Sequence, residues 1–369
     1  MSAPTIKSID KPFLISVFSL IGAGILIFSS ASLGLLARTE VIFKSVVINQ
    51  IGFGLIGGVI AMCVIASINY KHLKKYAFFF YIAAIILLIL VFVPHIGFAH
   101  GGARRWIHVG NLFSIQPSEI YKIAFVLFFA LWLSKLKQRV ATYKYGTSAF
   151  IVFIAITGVL ILAQPDTATF GVIVFAAIGM YLAAGARWRD VVMFVVAGIL
   201  GLAFLAFTRP YVMERFETFL NPSHDARGSG YQIQQSMIAI GSGQITGRGF
   251  GQSVQKFNFL PEPIGDSIFA VASEEFGFIG SVLIVFLYVG FALRGLKIAA
   301  RTSDPFGRLV VVGIVILIAS GSFVNIASML GLIPVSGVPL MFISHGGTAL
   351  FITLASVGII LNISKYQTS

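Results

Sequence analysis

TRPYVMERFETFLNPSHDARGSGYQIQQSMIAIGSGQITGRGFGQSVQKFNFLPEPIG, residues 208–265, is a polar stretch set between two long apolar runs. WRDVVMFVVAGILGLAFLAF (188–207) precedes it and DSIFAVASEEFGFIGSVLIVFLYVGFAL (266–293) follows it. Each neighbour has the length needed to cross a bilayer as a helix, about 20 residues. The pattern predicts a membrane protein that keeps one large loop, rich in Arg, Glu and Gly, on a single side. Asp266 stands where that loop meets the next span.

The same apolar texture covers the rest of the chain. Of 369 residues, 57% are hydrophobic and only 11% charged, with a mean hydropathy of +0.95. Such values exclude an ordinary soluble globule, and the runs lack the ten-residue alternation of a barrel. The fold class is therefore an all-α polytopic membrane bundle. Ten spans are expected, at about 13–33, 45–66, 76–94, 119–134, 148–164, 167–184, 190–208, 266–293, 307–330 and 346–363. They form a single membrane domain over residues 1–369 with larger outer loops at about 95–118, 208–265 and 331–345. Spans five and six are divided only by Gln164-Pro165-Asp166, where proline breaks the helix.

Charge orients the bundle. With the N-terminus inside, the inner segments, among them Lys7, Lys71, Lys74, Lys75, Arg187 and Arg294, carry the whole excess of +13, and the outer segments sum to about zero. The basic balance thus reflects topology and anionic membrane lipid, with no sign of nucleic-acid binding. An even number of spans returns the C-terminus to the cytoplasm. The single cysteine, Cys63, supports neither an internal disulfide nor a thiolate cluster. The first apolar run is longer than a usual signal core and reads as an uncleaved helix. No internal repeat stands out, which weighs against transporters built from two related halves.

Asp266 admits two compatible readings: a cap for the eighth span, or a base for a substrate hydroxyl. Glu274 and Glu275 lie roughly 12 Å further along the same helix. As neighbours they point about 100° apart, so both cannot share a cavity with Asp266. Partners for basic or backbone groups are expected for them, against a catalytic pair. Arg104, Arg105, Lys122, Arg248 and Lys256 either snorkel to headgroups or cradle a diphosphate. Asp166 either caps span six or contacts substrate. Tyr231–Ile240 has helical spacing suited to a short helix in the interface, and Gly241–Gly251 is too rich in glycine for regular structure. That glycine run lacks the lysine of a phosphate loop. His72, His95, His100, His108, His224 and His345 show no zinc spacing, and no Gly-x-Ser-x-Gly elbow is present.

Taken together, GARRWI (102–107), QPSE (116–119) with Lys122, QPD (164–166), GYQIQQS (230–236), GRGFGQS (247–253), LPE (260–262) leading to Asp266, EE (274–275), PVSG (334–337) and FISHGG (342–347) resemble the SEDS family, which includes FtsW, RodA and SpoVE. The resemblance covers nearly the whole chain and is closer to FtsW than to RodA in wording. It implies a peptidoglycan glycosyltransferase that polymerises lipid II at the outer face of the bacterial cytoplasmic membrane, with Asp266 at the family's catalytic position. It further implies a class B penicillin-binding protein as partner, among other division or elongation proteins. Glu119, Glu274, Glu275, Asp166 and His345 fall in motif positions as supporting residues. Two departures stand out: Ile264-Gly265 where His-Thr is usual, and His345 where tyrosine is common. Gly265 is expected to loosen the chain before Asp266, and His345 to titrate near neutrality.

The chemistry implied needs one base and a cationic site for the departing diphosphate, because an α-linked donor giving a β product is inverted once. Arg105, Lys122 and Arg248 are the candidate diphosphate ligands. No cofactor is required by the sequence, although a divalent cation, Mg2+ or Mn2+, could share the diphosphate. Two other functions stand as alternatives: a flippase for lipid-linked saccharide, which would use the same cavity, acids and cations, and a non-catalytic scaffold of the wall-synthesis machinery, which would leave Asp266 and the outer cations no role beyond packing.

Overall fold

The computed structural model describes residues 8–36, 40–100, 103–109, 113–225 and 228–367. Lys7 and Gly102 lie outside the described residues, as do the side chains of His100 and His224. Among the described residues, ten helices form the bundle. The first five are α1 (Lys11–Leu36), α2 (Phe43–Ser67), α3 (Lys71–Leu90), α4 (Pro117–Leu136) and α5 (Tyr143–Leu162). Then follow α6 (Thr167–Ala183), α7 (Trp188–Thr208), two loop helices α8 (Pro210–Leu220) and α9 (Ser229–Ser242), and finally α10 (Ile268–Arg301), α11 (Pro305–Met329) and α12 (Gly347–Ser364). Eight are long and apolar enough to cross a membrane. Of the other two spans, α6 is a shorter apolar helix and α4 carries the buried charges Glu119 and Lys122.

Packing follows burial. Most of α11 and α12 is enclosed by protein, whereas α7 is almost wholly exposed and apolar, as a lipid-facing helix must be. α11 is the central post, touching α4, α6, α10 and α12, and α1 packs along α10. A lipid-facing periphery around a close-packed centre is what a chain with no apolar–polar alternation along its spans produces.

Three features differ from the sequence reading. First, the 95–118 segment adds a small antiparallel sheet to the helical bundle, β1 (Gly97–His100), β2 (Ala103–Val109) and β3 (Phe113–Ile115) in that order. Second, the third span begins at Lys71 rather than near 76, its Lys-rich first turn being helical already. Third, α10 extends 34 residues and is broken at Gly277, whose φ of 65° and ψ of −162° are accessible to glycine alone without strain. The part after the break is roughly 36 Å long and sufficient to span by itself.

The break explains the glycine run. Phe278 and Ile279 amides, orphaned by the kink, donate to the carbonyls of Gln244 (2.9 Å) and Ile245 (3.1 Å), while Arg248 and Gly249 amides donate to Glu274 and Glu275 carbonyls (both 3.0 Å). A Cβ on Gly247 would stand 2.1 Å from the Glu275 carbonyl oxygen. The loop therefore replaces the missing helical hydrogen bonds, and only glycine lets the two backbones come so close. α9, the expected short helix, lies beside α10 with Ile233, Ser236 and Ala239 buried.

Candidate active site

Four connections meet at one end of the bundle. Arg105 on β2 donates through Nε to the Gln164 carbonyl (2.9 Å) and through its terminal nitrogen to the Pro165 carbonyl. Thr348, in the first turn of α12, donates to the Ser114 carbonyl of β3 (2.9 Å). The 331–346 segment, in turn, holds the end of the long loop: the His345 amide donates to Ile264 O (2.7 Å) and Ser344 Oγ to Gly265 O (2.8 Å). Asp266 sits among these contacts.

Asp266 does not cap α10. Ser267 occupies the cap position, without a side-chain cap bond, and takes a hydrogen bond from Gln232 (2.9 Å). Nor does the Asp266 carboxylate form an ion pair or hydrogen bond among the described residues. Its Oδ2 lies beside Gly337, 3.7 Å from where a Cβ on that residue would be. Burial pushes its carboxyl up to about 6, helped by the negative charge of Glu262 and opposed by Arg215 and Arg105, with Asp166 adding a smaller upward push. An acid poised near neutrality, free of structural partners, is what a general base requires.

Arg215 is the residue that sequence reasoning missed. It projects from α8, half-buried, within electrostatic reach of Asp266, Asp166, Arg105 and Tyr211. Burial and the neighbouring Arg105 press its guanidinium below its ordinary value, yet an arginine retains its charge under such a load. Arg105 and Arg215 thus place two guanidinium groups within electrostatic reach of Asp266, a cationic wall on which its field acts. Asp166 takes the capping role, accepting from the Thr169 amide of α6 (3.2 Å), and also contributes to the field at Asp266.

The other candidates are elsewhere. Lys256, expected among the diphosphate ligands, is fully buried and donates to Glu275 Oε1 (2.7 Å), Ser30 Oγ (2.9 Å) and the Gly251 carbonyl (2.8 Å), so it is not open to a ligand. Glu274 accepts from Ser253 Oγ (2.6 Å) and the Val254 (3.1 Å) and Gln255 (3.3 Å) amides. Both glutamates are therefore structural anchors for the 248–256 turn. Arg248, partly exposed, leans on Glu274 at 3.5 Å. Lys122 is buried against Glu119 at 2.8 Å beside a water-sized cavity lined by Leu317, Met341 and Ser356. It neither snorkels nor joins the Asp266 cluster. Arg104 alternates with Arg105 along β2 and points out to solvent.

Both departures have a physical reading. Three successive carbonyls, those of Ile264, Gly265 and Asp266, are pinned by His345, Ser344 and Asn325, so Gly265 does not loosen the site. Gly265 is also outside the left-handed region, and a Cβ there would meet nothing nearer than Glu262 at 3.4 Å. Gly265→Ala is accordingly expected to keep full activity and gain about 0.4–1 kcal/mol of stability, measurable by thermal unfolding in detergent. His345 does not titrate near neutrality. Burial against Phe28 pushes it down to about 4, leaving a neutral ring at physiological pH. Among the described residues no group of three or more His, Cys, Asp or Glu side chains is close enough to share a metal ion.

Comparison with known proteins agrees with this architecture. The family model for FtsW, RodA and SpoVE, described as a cell cycle protein, matches residues 11–369. Stage V sporulation protein E of Bacillus subtilis is 41% identical over 310 residues, 84% of each chain. A probable peptidoglycan glycosyltransferase FtsW of Geobacter metallireducens is 40% identical over 307 residues, covering 83% of this chain and 82% of its own. Among solved structures, a chain of a peptidoglycan synthase complex that coordinates polymerization and crosslinking superposes with a TM-score of 0.79 at 25% identity, covering 98% of this chain and 99% of that one. The rod shape determining protein RodA of Thermus thermophilus shares the fold, with a TM-score of 0.70 at 23% identity over 98% of both chains. A ten-helix bundle, the motifs in their order and a match over nearly its entire length establish that this polytopic membrane protein belongs to the FtsW/RodA/SpoVE family.

Proposed function

We propose that this chain is a peptidoglycan glycosyltransferase that polymerises lipid II, with Asp266 as general base and Arg105 and Arg215 as ligands of the leaving diphosphate. The observation that carries the proposal is the Asp266 carboxylate itself, at the mouth of α10 but not capping it, raised to about 6 by burial and within electrostatic reach of two guanidinium groups. Kinship with proteins named as glycosyltransferases at up to 40% identity supports the reaction class.

The acceptor's 4-hydroxyl attacks the donor's anomeric carbon and gives its proton to Asp266. The bond from that carbon to the diphosphate breaks, and the electron pair leaves with the diphosphate. Negative charge then grows on the leaving group, where a fork-shaped guanidinium is a better ligand than a point charge. With two guanidinium groups within electrostatic reach of Asp266 and Asp166, the residues suit an anionic leaving group better than a resident cation.

In this reading the loop end of the bundle faces outward from the cytoplasmic membrane and both termini face the cytoplasm, as the inner excess of Lys and Arg requires. The likeness to a complex that coordinates polymerization and crosslinking supports a crosslinking partner, for which the family resemblance implies a class B penicillin-binding protein, among other division or elongation proteins.

Purified protein reconstituted with labelled lipid II, alone and with a transpeptidase partner, tests the proposal. Glycan polymer is the expected product. Translocated lipid without polymer in every condition would favour the flippase, and neither product the scaffold. Arg215→Ala should lower kcat/KM for lipid II by about 10- to 100-fold with the protein still folded, the size expected for losing a charged ligand of a developing charge. Unchanged kinetics would remove Arg215 from the diphosphate site.

A further inference from the structure

The polymerase reading requires Asp266 to be held in one place, yet its carboxylate has no hydrogen bond among the described residues. The restraint comes through the backbone. Asn325, 1% exposed in the last turns of α11, spends both amide hydrogens on carbonyls: Asp266 O at 2.8 Å and Val338 O at 2.8 Å. Val338 follows Gly337, the residue against which Asp266 Oδ2 rests. One side chain of the central helix thus fixes the base and the wall beside it.

The arrangement is not one that packing alone would select. Asn325 Oδ1 is buried and accepts no hydrogen bond among the described residues. A buried carbonyl left unsatisfied is destabilising, and an apolar side chain of similar size would avoid it. What the amide alone supplies is its pair of donors. Ile264 and Gly265 are held by the 331–346 connection itself, whereas Asn325 ties the Asp266 backbone to the central helix α11.

We propose that Asn325 is a positioning residue of the glycosyl transfer, registering Asp266 against the Gly337 wall so that its carboxylate meets the acceptor hydroxyl. This rests on the polymerase reading. The reaction itself is unchanged: Asn325 touches neither substrate nor the transferred proton and acts through Asp266 only.

The test is steady-state polymerisation at varied lipid II for Asn325→Asp and Asn325→Ser, each alone and combined with Asp266→Asn. Asn325→Asp keeps the shape but replaces the donating NH2 group by an oxygen that repels the two carbonyls, and Asn325→Ser keeps one donor. The expected result is a kcat lowered about 10²-fold in Asn325→Asp and less in Asn325→Ser, with KM unchanged, as for a misplaced base. In the Asp266→Asn background neither change should lower kcat further. Equal losses in both backgrounds, a loss carried by KM, or an unchanged kcat would overturn the proposal. If Asn325→Asp does not fold, Asn325→Ser carries the same comparison. An Asp266→Asn protein that polymerises at the wild-type rate would instead remove the base, and so separates failure of the polymerase reading from failure of the positioning role.

Discussion

Asp266→Asn is expected to lower the polymerisation rate by about 10²- to 10⁴-fold, the range of a general base, while making the folded protein more stable. The two effects have one cause. The Asp266 carboxyl stands at about 6 against an ordinary value of 3.8 because burial, reinforced by Glu262, disfavours its charged form. A folded-state value above the unfolded one means that the folded protein binds the proton more tightly. Stability is therefore lost as pH rises from about 4 to about 6, and the loss is complete at neutrality. A shift of about two units corresponds to roughly 3 kcal/mol. Asparagine mimics the protonated acid in size and neutrality, so the variant should be more stable at pH 7.5 by up to that amount. Its advantage should vanish below about pH 4. Denaturant unfolding of the two proteins in detergent across pH 4–8 reads the difference. The rate has the same origin: kcat of the wild type should fall on the acid side with a midpoint near 6, as the base takes up its proton. A stable and active Asp266→Asn protein, or a rate independent of pH between 5 and 7, would show that this carboxylate is not the base.

The bundle was legible because span formation is a local property: about 20 apolar residues must become helix wherever they meet lipid. Asp266 was legible for a related reason, since a carboxylate at the edge of a span is conspicuous. Arg215 was not, because YVMERFETFL mixes charge and apolar residues like any solvated helix, and its approach to Asp266 depends on how α8 folds back toward the start of α6. Gly277 was hidden differently. Glycine is common in spans, and EEFGF gives no sign that the neighbouring loop will supply the missing hydrogen bonds. His345 looked like a neutral-pH switch because its unperturbed value is near 6.5; what lowers it is burial, and burial belongs to the tertiary fold.

Lys256→Met is expected to cost about 3–5 kcal/mol of stability and most of the folded protein, because it strands a charge rather than removing a ligand contact. Lys256 and Glu275 are both fully buried and 2.7 Å apart, and the pair joins α1 through Ser30 to the 248–256 turn and α10. Left alone, Glu275 Oε1 would keep only Ser30 Oγ (2.6 Å) and the Ser253 amide (3.3 Å), too little to offset desolvation of a carboxylate. Adding Glu275→Gln should recover most of the loss. A neutral amide can accept from the same two donors, and a buried pair replaced by neutral groups of like volume is often nearly neutral in stability. The double variant also separates the two roles weighed for Lys256. If it folds and polymerises lipid II with unchanged KM, the lysine has no part in holding diphosphate. If Lys256→Met alone folds normally but binds lipid II more weakly, the buried pair opens to substrate, and the cationic wall must then include Lys256 beside Arg105 and Arg215.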